Sequence, residues 1–260
     1  MIKVENLVKK FKDFTAVKGI SFEIADGELV AFLGPNGAGK TTTIKMLTTI
    51  LRPTSGKMLI NGFNPVTQKY QTRKSFGIVF QDSSVDDELT AKENMALHGA
   101  LYGIKGKARQ TKIKELLEFV DLWDRRDEFL KNFSGGMKRR LEIARGLMHH
   151  PKVLFLDEPT QGLDPQTRNH IWEYIKKMNQ EEKMTVFFTT HYIEEADKMA
   201  DKVVIFDHGQ IIATGTPAEI KLQAKVDDLE EAFIKLTGNK IREQEADTRD
   251  RMRHGFRGRR

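Results

Sequence analysis

Residues 34–41 read GPNGAGKT and overlap the end of an apolar run, LVAFLG, at 29–34. They satisfy the spacing G-x-x-x-x-G-K-[ST], with a helical pattern following directly. Glycines let such a loop curl so that successive N–H groups point at a β-phosphate, at the positive end of the helix. Lys40 can reach the β- and γ-phosphates, and the hydroxyl of Thr41, with Thr42 beside it, can ligate Mg²⁺. The segment predicts a site for a nucleoside triphosphate rather than a glycine-rich turn that matches by chance.

A second apolar run ends in carboxylates, because KVLFLD at 152–157 is followed by Glu158 and a proline. A buried strand here delivers Asp157 and Glu158 to the carboxyl edge of a sheet, where the phosphate loop also opens. Asp157 would hold Mg²⁺, directly or through water, and Glu158 would polarise the attacking water. A plain turn after a strand explains the segment equally well on its own, but the phosphate loop favours the chemical interpretation.

The elements that must position these residues alternate along the chain. Short runs rich in Val, Ile and Phe predict buried strands at 29–34, 76–81, 152–157 and 184–191. Helical patterns cover 40–51 and 165–179, the second opened by Asp164 and a proline as N-cap and first-turn residue. This alternation predicts an α/β fold with parallel strands.

Two further segments depart from this alternation. From about 82 to 150 the chain shows helical patterns and no convincing strand, which predicts an inserted α-helical subdomain. Residues 202–215 predict a β-hairpin with its turn at 207–209.

The stretch at 132–146, NFSGGMKRRLEIARG, combines a helix with an unusual beginning. Apolar residues recur at helical spacing from Met137 onward, and Ser134 is a suitable N-cap. Gly135 and Gly136 follow it, where a helix disfavours glycine. Glycines at the start of a helix free backbone N–H groups to contact a partner, often an anion. What a second such helix start would contact is left open by the segment itself, since the phosphate loop is the better anion loop.

Composition limits the class of protein. The 260 residues are 39% apolar, enough for a real core, and the lack of cysteine excludes a disulfide framework and thiol chemistry. No run approaches the length of a membrane span, and the N-terminus lacks the pattern of a secretory signal, so we expect a cytosolic protein. The net charge of +6 is compatible with nucleic acid or an anionic membrane, although a solvated surface accounts for most of it. Residues 236–260 form a polar, arginine-rich tail that we expect to be mobile.

The order of these motifs resembles an ATP-binding cassette (ABC) subunit. GPNGAGKT is followed by a strand ending in Gln81, by the SGG at 134–136, by LDEP, by the GLD at 162–164 and by a strand ending in His191. The resemblance implies an α/β P-loop NTPase (RecA-like) core with a mixed sheet plus the inserted helical subdomain, over residues 1–235. It also implies ATP and Mg²⁺ as ligands and ATP hydrolysis as the activity.

The resemblance also assigns roles to individual residues. Phe11 takes the place of the aromatic that stacks on adenine, Gln81 that of the glutamine that senses Mg²⁺ and the membrane partner, and His191 that of the histidine that contacts the γ-phosphate. A core aromatic, a strand end and a helix cap are the respective alternatives. The implied catalytic residues are Lys40, Glu158 and His191, and the implied metal ligands are Thr41, Gln81 and Asp157. The implied nucleotide-binding residues are Phe11, Gly34, Pro35, Asn36, Gly37, Ala38, Gly39, Lys40, Thr41, Thr42, Gln81, Ser134, Gly135, Gly136 and Asp164.

The same resemblance explains the second glycine pair. In ABC proteins two such domains meet head to tail, so the signature at 134–136 would complete the ATP site of a second copy of this chain. The sequence differs from the common pattern in its FSGGM signature, in Gln161 and in having Phe11 rather than tyrosine, but no phosphate-binding group is missing.

Three longer segments resemble the daunorubicin-resistance branch of this family: QDSSVDDELTAKENM, LDEPTQGLDPQTR and TTHYIEEADKMADKV. Members of that branch serve exporters of drugs, lipids or polysaccharides. LEEAFIKLTG resembles that branch's C-terminal motif, although the segment before it is short. We therefore expect a peripheral subunit on the cytoplasmic face of the membrane, with a transmembrane permease on a separate chain. A soluble ABC ATPase acting on nucleic acid or ribosomes is the alternative, disfavoured by the single cassette, and we expect no nucleic-acid partner. An inactive interaction module is a third interpretation, which the complete set of catalytic residues opposes.

Overall fold

The computed structural model describes residues 1–238. Most of the predicted arginine-rich tail, with its expected mobility, lies outside the described residues. The strands are β1 (Ile2–Phe11), β2 (Phe14–Ile24), β3 (Leu29–Leu33), β4 (Ser55–Ile60), β5 (Phe76–Val79), β6 (Val153–Asp157), β7 (Thr185–Thr190), β8 (Lys202–Asp207) and β9 (Gln210–Gly215). The helices are α1 (Lys40–Leu47), α2 (Lys69–Ser75), α3 (Ala91–Leu101), α4 (Gly106–Phe119), α5 (Gly135–Gly146), α6 (Pro165–Glu182), α7 (Ile193–Met199), α8 (Pro217–Ala224) and α9 (Leu229–Thr237).

A six-stranded sheet in the order β5-β6-β7-β3-β8-β9 forms the centre of the fold. Its strands are parallel except for the β8–β9 hairpin, which is antiparallel. The carboxyl ends of β3, β6 and β7 are therefore adjacent at one edge, where the predicted site residues begin. The α/β fold with a mixed sheet is confirmed.

A second sheet, which the sequence motifs do not predict, covers one face of the first. It is antiparallel and has the order β2-β1-β4. The short turn between β1 and β2 carries Phe11 and Phe14 at its two ends. This hairpin therefore contributes to the wall of the cavity described below.

The central strands bury both faces, because alternate residues point into two separate cores. On β7, Phe187 belongs to the core beneath the antiparallel sheet, and Phe188 belongs to the core beneath the helices. Phe187 lies 4.4 Å from the ring of Phe32, and Phe188 lies 4.6 Å from Trp172. This double burial explains why these strands read as continuous apolar runs.

Several elements are shorter than predicted. Helix α1 ends at Leu47 rather than at 51, since Thr49 adopts a left-handed conformation with φ of 68°. Strands β5 and β7 end at Val79 and Thr190, so that Gln81 and His191 lie in the loops beyond them. The hairpin turn holds only residues 208 and 209, because Asp207 still pairs with β9.

The segment from 82 to 150 carries α3, α4 and α5 and two short 3₁₀ turns, with no strand among its residues. The predicted helical character is therefore observed, and its treatment as a subdomain remains a proposal. Within the part of the chain that is described, no helix combines the length and the apolar character needed to cross a bilayer.

Candidate active site

The loop between β3 and α1 encloses one side of a cavity of about 420 Å³. Gly39 has a φ of 110°, and a Cβ there would lie 2.7 Å from the carbonyl oxygen of Ala16, so only glycine fits this close approach. The lining of the cavity comes from the loop, from α1 and from three other segments: Phe11, Phe14, Ala16, Pro35, Asn36, Gly37, Ala38, Gly39, Lys40, Thr41, Thr42, Gln81 and Glu158. Eleven of these thirteen residues belong to the predicted nucleotide or catalytic sets.

Lys40 lies at the bottom of the loop with only 4% of its surface exposed. Its amine donates hydrogen bonds to the carbonyl oxygens of Gly34 at 2.5 Å and Pro35 at 3.2 Å, and lies 3.8 Å from Oε1 of Glu158. Burial lowers the pKa of Lys40, while the carboxylates of Glu158 and Asp157 act in the opposite direction. The Lys40 amine is thus held in place by carbonyl groups of the loop between β3 and α1.

Asp157 ends β6 and is bound by hydroxyl groups from two other elements. Its Oδ1 accepts hydrogen bonds from Thr41 at 3.1 Å and from Thr189 at 2.7 Å. Burial raises the pKa of Asp157, and the two hydroxyl bonds partly offset that rise. The pairing places the two predicted oxygen ligands, Thr41 and Asp157, side by side.

Glu158 follows in a left-handed backbone conformation with φ of 49°, which is uncommon for a residue with a Cβ. Its backbone N–H donates to Oγ1 of Thr189 at 3.0 Å, and its Oε2 lies 3.2 Å from Nδ1 of His191. Burial alone would raise the pKa of Glu158, but the bond to His191 and the charges of Lys40 and His191 outweigh it, so that its pKa is lowered. The side chain is therefore an ionised base at neutral pH.

The rim of the cavity holds two of the predicted residues. Phe11 is 43% exposed, which rules out a core aromatic, and the amine of Lys9 lies 4.9 Å from the centre of its ring. Gln81 donates a hydrogen bond from its side-chain amide to Oε1 of Gln161 at 2.7 Å. Phe14, 63% exposed beside Phe11, is a lining residue that no sequence motif predicted.

The signature glycines and Asp164 are not brought to this cavity within the described residues. Ser134 caps α5 by accepting a hydrogen bond from the N–H of Met137 at 3.2 Å. Asp164 caps α6 by accepting from the N–H and the hydroxyl of Thr167, at 3.0 Å and 2.7 Å. Both caps are satisfied within the chain. The two helix starts lie close together, because a Cβ added at Gly136 would lie 2.5 Å from Cγ2 of Thr167.

Two buried groups that hold the site together were also missed. Thr189 links Asp157 to the backbone of Glu158, and Arg139 on α5 contacts the turn after β6. The sequence offered no signal for Arg139, since it is the middle residue of a run of three basic residues, KRR.

A family model described as ABC transporter matches residues 17–161. The chain is 40% identical over 242 residues to the linearmycin resistance ATP-binding protein of Bacillus subtilis (strain 168), covering 90% of this chain and 78% of that protein. It is 41% identical over 220 residues to the daunorubicin/doxorubicin resistance ATP-binding protein of Streptomyces peucetius, covering 85% and 66%. It is 40% identical over 216 residues to the Nod factor export ATP-binding protein I of Burkholderia lata, covering 83% and 71%.

Two solved structures have similar folds. One is an ATP-binding subunit of an ABC transporter, with a TM-score of 0.83 and 28% identity, covering 91% of this chain and 99% of that one. The other is a dimeric ATP-binding cassette in a post-hydrolysis state bound to ADP and Pi, with a TM-score of 0.75 and 28% identity, covering 83% and 98%.

Proposed function

Since the chain belongs to the ABC transporter family and is one of its ATP-hydrolysing subunits, we propose that the side chains meeting above the phosphate loop carry out the hydrolysis. The observation that supports this most directly is the position of Glu158, within 3.8 Å of Lys40 and 3.2 Å of His191. Glu158, the base, thus lies between Lys40, a cation that can bind the phosphates, and His191, which can contact the γ-phosphate.

Each side chain then has a separate task. Glu158 is ionised and accepts the proton of the attacking water, which is oriented against the terminal phosphate. Lys40 neutralises charge on the β- and γ-phosphates, and His191 both orients Glu158 and contacts the γ-phosphate. Phe11, on the rim, stacks on the adenine, with Phe14 beside it.

The residues present fit Mg²⁺ as the cofactor. The Thr41 hydroxyl and the Asp157 carboxylate are oxygen donors 3.1 Å apart, and Gln81 adds an amide from the rim. Among residues 1–238 no group of three or more His, Cys, Asp or Glu side chains could hold a metal alone, which suits an ion that is shared with substrate phosphates. When bound, Mg²⁺ would neutralise charge that develops on the phosphates.

We further propose that two copies of the chain meet head to tail, so that residues 134–136 of each contact the ATP of the other. Supporting this, the start of α5 is exposed and lies outside its own chain's cavity, and one similar cassette of known structure is a dimer. The N–H groups and the dipole at this helix start would attract the γ-phosphate.

The cargo is proposed to be chosen by a separate membrane subunit, with this chain on the cytoplasmic face. Three relatives at 40–41% identity carry names with different cargoes, two resistance proteins for different antibiotics and one Nod factor exporter. Similarity in the cassette therefore does not follow the cargo. The class that we propose remains a drug, lipid or polysaccharide, and the two antibiotic names favour a drug.

The assignment is tested by steady-state ATPase assays on the purified chain. Lys40→Ala should abolish turnover, and Glu158→Gln should lower it by about 10²–10⁴-fold while ATP binding persists. Lys45→Ala, which removes the same charge from the same helix outside the cavity, is the matched control. Parental activity in either site variant would contradict the proposed mechanism.

A further inference from the structure

Arg139 is the buried member of three consecutive basic residues on α5. Only 7% of its surface is exposed, whereas Lys138 forms a partly exposed ion pair with Asp87 and Arg140 donates to the carbonyl oxygen of Val120. A buried guanidinium loses its hydration and requires a full set of acceptors.

The acceptors are carbonyl groups of the turn that carries the catalytic carboxylates. Nη2 donates to the carbonyl oxygens of Asp157 at 3.1 Å and Glu158 at 2.9 Å, and Nε donates to that of Pro159 at 2.7 Å. Three consecutive carbonyls are thus bound by one planar group, a geometry that the fork of an arginine allows and a lysine amine does not.

The remaining nitrogen connects this turn to another loop of the site. Nη1 donates to Oε2 of Glu142 at 3.2 Å and to the carbonyl oxygen of Phe80, the residue before Gln81. Burial lowers the pKa of Arg139, and the Glu142 carboxylate opposes that change. A guanidinium nonetheless keeps its proton in proteins, so the Arg139 cation joins α5, the turn after β6 and the start of the Gln81 loop.

These contacts bear on Glu158 because its backbone is left-handed and needs support. Its N–H is held by Thr189 on one side, and its C=O is held by Arg139 on the other. With both peptide units fixed, the side chain is directed toward Lys40 and His191.

We propose that Arg139 is a positioning residue for Glu158 and couples the helix that begins at the signature glycines to that base. The inference rests on the proposed role of Glu158 as the base. Arg139 would thus connect the start of α5 rigidly to Glu158. In a head-to-tail dimer these two parts of one chain face different ATP molecules.

The first test compares Arg139→Lys with Arg140→Lys, which makes the same change one residue away and outside these contacts. Arg139→Lys keeps the charge but loses the fork, so kcat for ATP should fall by about 10–100-fold with KM within a factor of about two, while Arg140→Lys stays parental. Thermal unfolding of each variant verifies that it is folded.

A double-mutant cycle separates positioning from a general structural effect. In a Glu158→Gln background Arg139→Lys should lower the residual kcat no further, because the group that it positions is gone. Binding of a fluorescent ATP analogue should match in Glu158→Gln with and without the change. If Arg139→Lys does not fold, Glu142→Gln, which removes the carboxylate partner of Arg139 and keeps an oxygen for the N–H of Ser84, should lower kcat without raising KM.

The possible results exclude one another. Parental kcat in a folded Arg139→Lys protein, or a loss that multiplies with that of Glu158→Gln, would overturn the positioning role. If Arg139→Lys keeps the parental activity and Glu158→Gln loses it, the inference about Arg139 fails and the proposed function stands. If Glu158→Gln itself hydrolyses ATP at the parental rate, the proposed function fails instead.

Discussion

The two glycines after Ser134 face different surroundings. In the described chain, a Cβ at Gly135 would meet no heavy atom within 4 Å, whereas one at Gly136 would lie 2.5 Å from Cγ2 of Thr167. Thr167 cannot turn away freely, because its hydroxyl is bonded to Asp164. Packing within the chain therefore accounts for Gly136, and Gly135 is open to a contact from another molecule.

The pair Gly135→Ala and Gly136→Ala tests this difference. Gly136→Ala should destabilise the protein by about 1–3 kcal/mol, because Thr167 must move. Gly135→Ala should leave the melting temperature unchanged or slightly raised, since alanine favours a helix, yet weaken ATP-dependent dimerisation. Thermal unfolding and size-exclusion chromatography with ATP measure the two effects. Equal losses of stability would contradict this account, as would undiminished dimerisation of Gly135→Ala.

Among individual residues, those that lie in motifs of fixed spacing could be predicted from the sequence. Lys40, Asp157 and Glu158 could be placed because a loop and a strand end fix where they lie. Arg139 and Thr189 could not be placed, because their partners are backbone groups and side chains of other elements, brought together only by packing. Phe14 was missed since its role depends on the hairpin that sets it beside Phe11.

Between α3 and the end of α5, the rings of His98, Tyr102 and His149 lie together. The ring of Tyr102 stacks on His149 at 3.7 Å, and His149 contacts the carbonyl oxygen of Phe76 at 2.8 Å. Burial, with the positive charges of Arg145 and His149, lowers the pKa of His98 to about 4. Protonation of His98 is thus disfavoured in the folded protein.

We expect protonation of His98 to make the folded protein less stable in acid. The folded pKa of His98 lies below its ordinary 6.5, so the unfolded chain binds the proton more readily, and stability falls as pH drops from 6.5 toward 4. Between pH 7.5 and 5 the effect is at most about 2 kcal/mol. Urea unfolding should show that His98→Gln loses less stability over this range than the parent. His208→Gln, on the exposed turn after β8, is the control, and an equal loss in parent and His98→Gln would refute the assignment.

On α3, Leu97 and Leu101 lie one turn apart and are 53% and 75% exposed. The helix follows the Gln81 loop, so we propose that this pair contacts the membrane subunit. Replacing both by Asp should prevent co-purification of a polytopic membrane protein, while the basal ATPase activity stays parental. Leu222→Asp on α8, at a leucine that is 78% exposed, should have no such effect. Retained co-purification, or recovery of only ribosomal or nucleic-acid partners by the parent, would contradict the proposal.

The elements differed in how well they could be predicted. The inner strands β3, β6 and β7 are buried at every position and largely apolar because both faces of the sheet are covered there, and they were found. Strand β1 was missed because its buried residues Ile2, Val4 and Leu7 break the alternation of a strand. The break is a bulge at Asn6, whose φ is 47°, where the register against β2 shifts.

For the whole molecule, the proposed head-to-tail dimer makes a prediction about mixtures. Lys40→Ala and Gly135→Asp should each prevent ATP-dependent dimerisation, since one weakens the phosphate loop and the other puts negative charge at the signature. In a mixed dimer one site has an intact Lys40 from one chain and an intact signature from the other, while the second site carries both defects. Mixing should therefore restore dimerisation or trapping at one site, measured by light scattering with ATP.

The complementation has its own controls. Each variant alone must remain folded and monomeric with ATP, and a mixture of Lys40→Ala with itself, differently tagged, must not recover. Steady-state turnover is a poorer measurement, because it also reports any dependence of one site on the other. If mixing two folded variants restores neither dimer nor trapping, the shared site is wrong for this protein.

The adjacent phenylalanines of β7 provide a way to observe the two halves of the molecule separately. Both are fully buried, yet Phe187 lies in the aromatic cluster beneath the hairpin sheet, and Phe188 lies against Trp172 on the helical side. Fluorine labels on these two rings would experience different ring-current fields although the residues are neighbours in the chain. A change confined to the 187 resonance would report movement on the adenine side, and one confined to the 188 resonance would report movement of the helices. Two labels on one strand would then show whether the side of the antiparallel sheet or the side of the helices responds first to nucleotide.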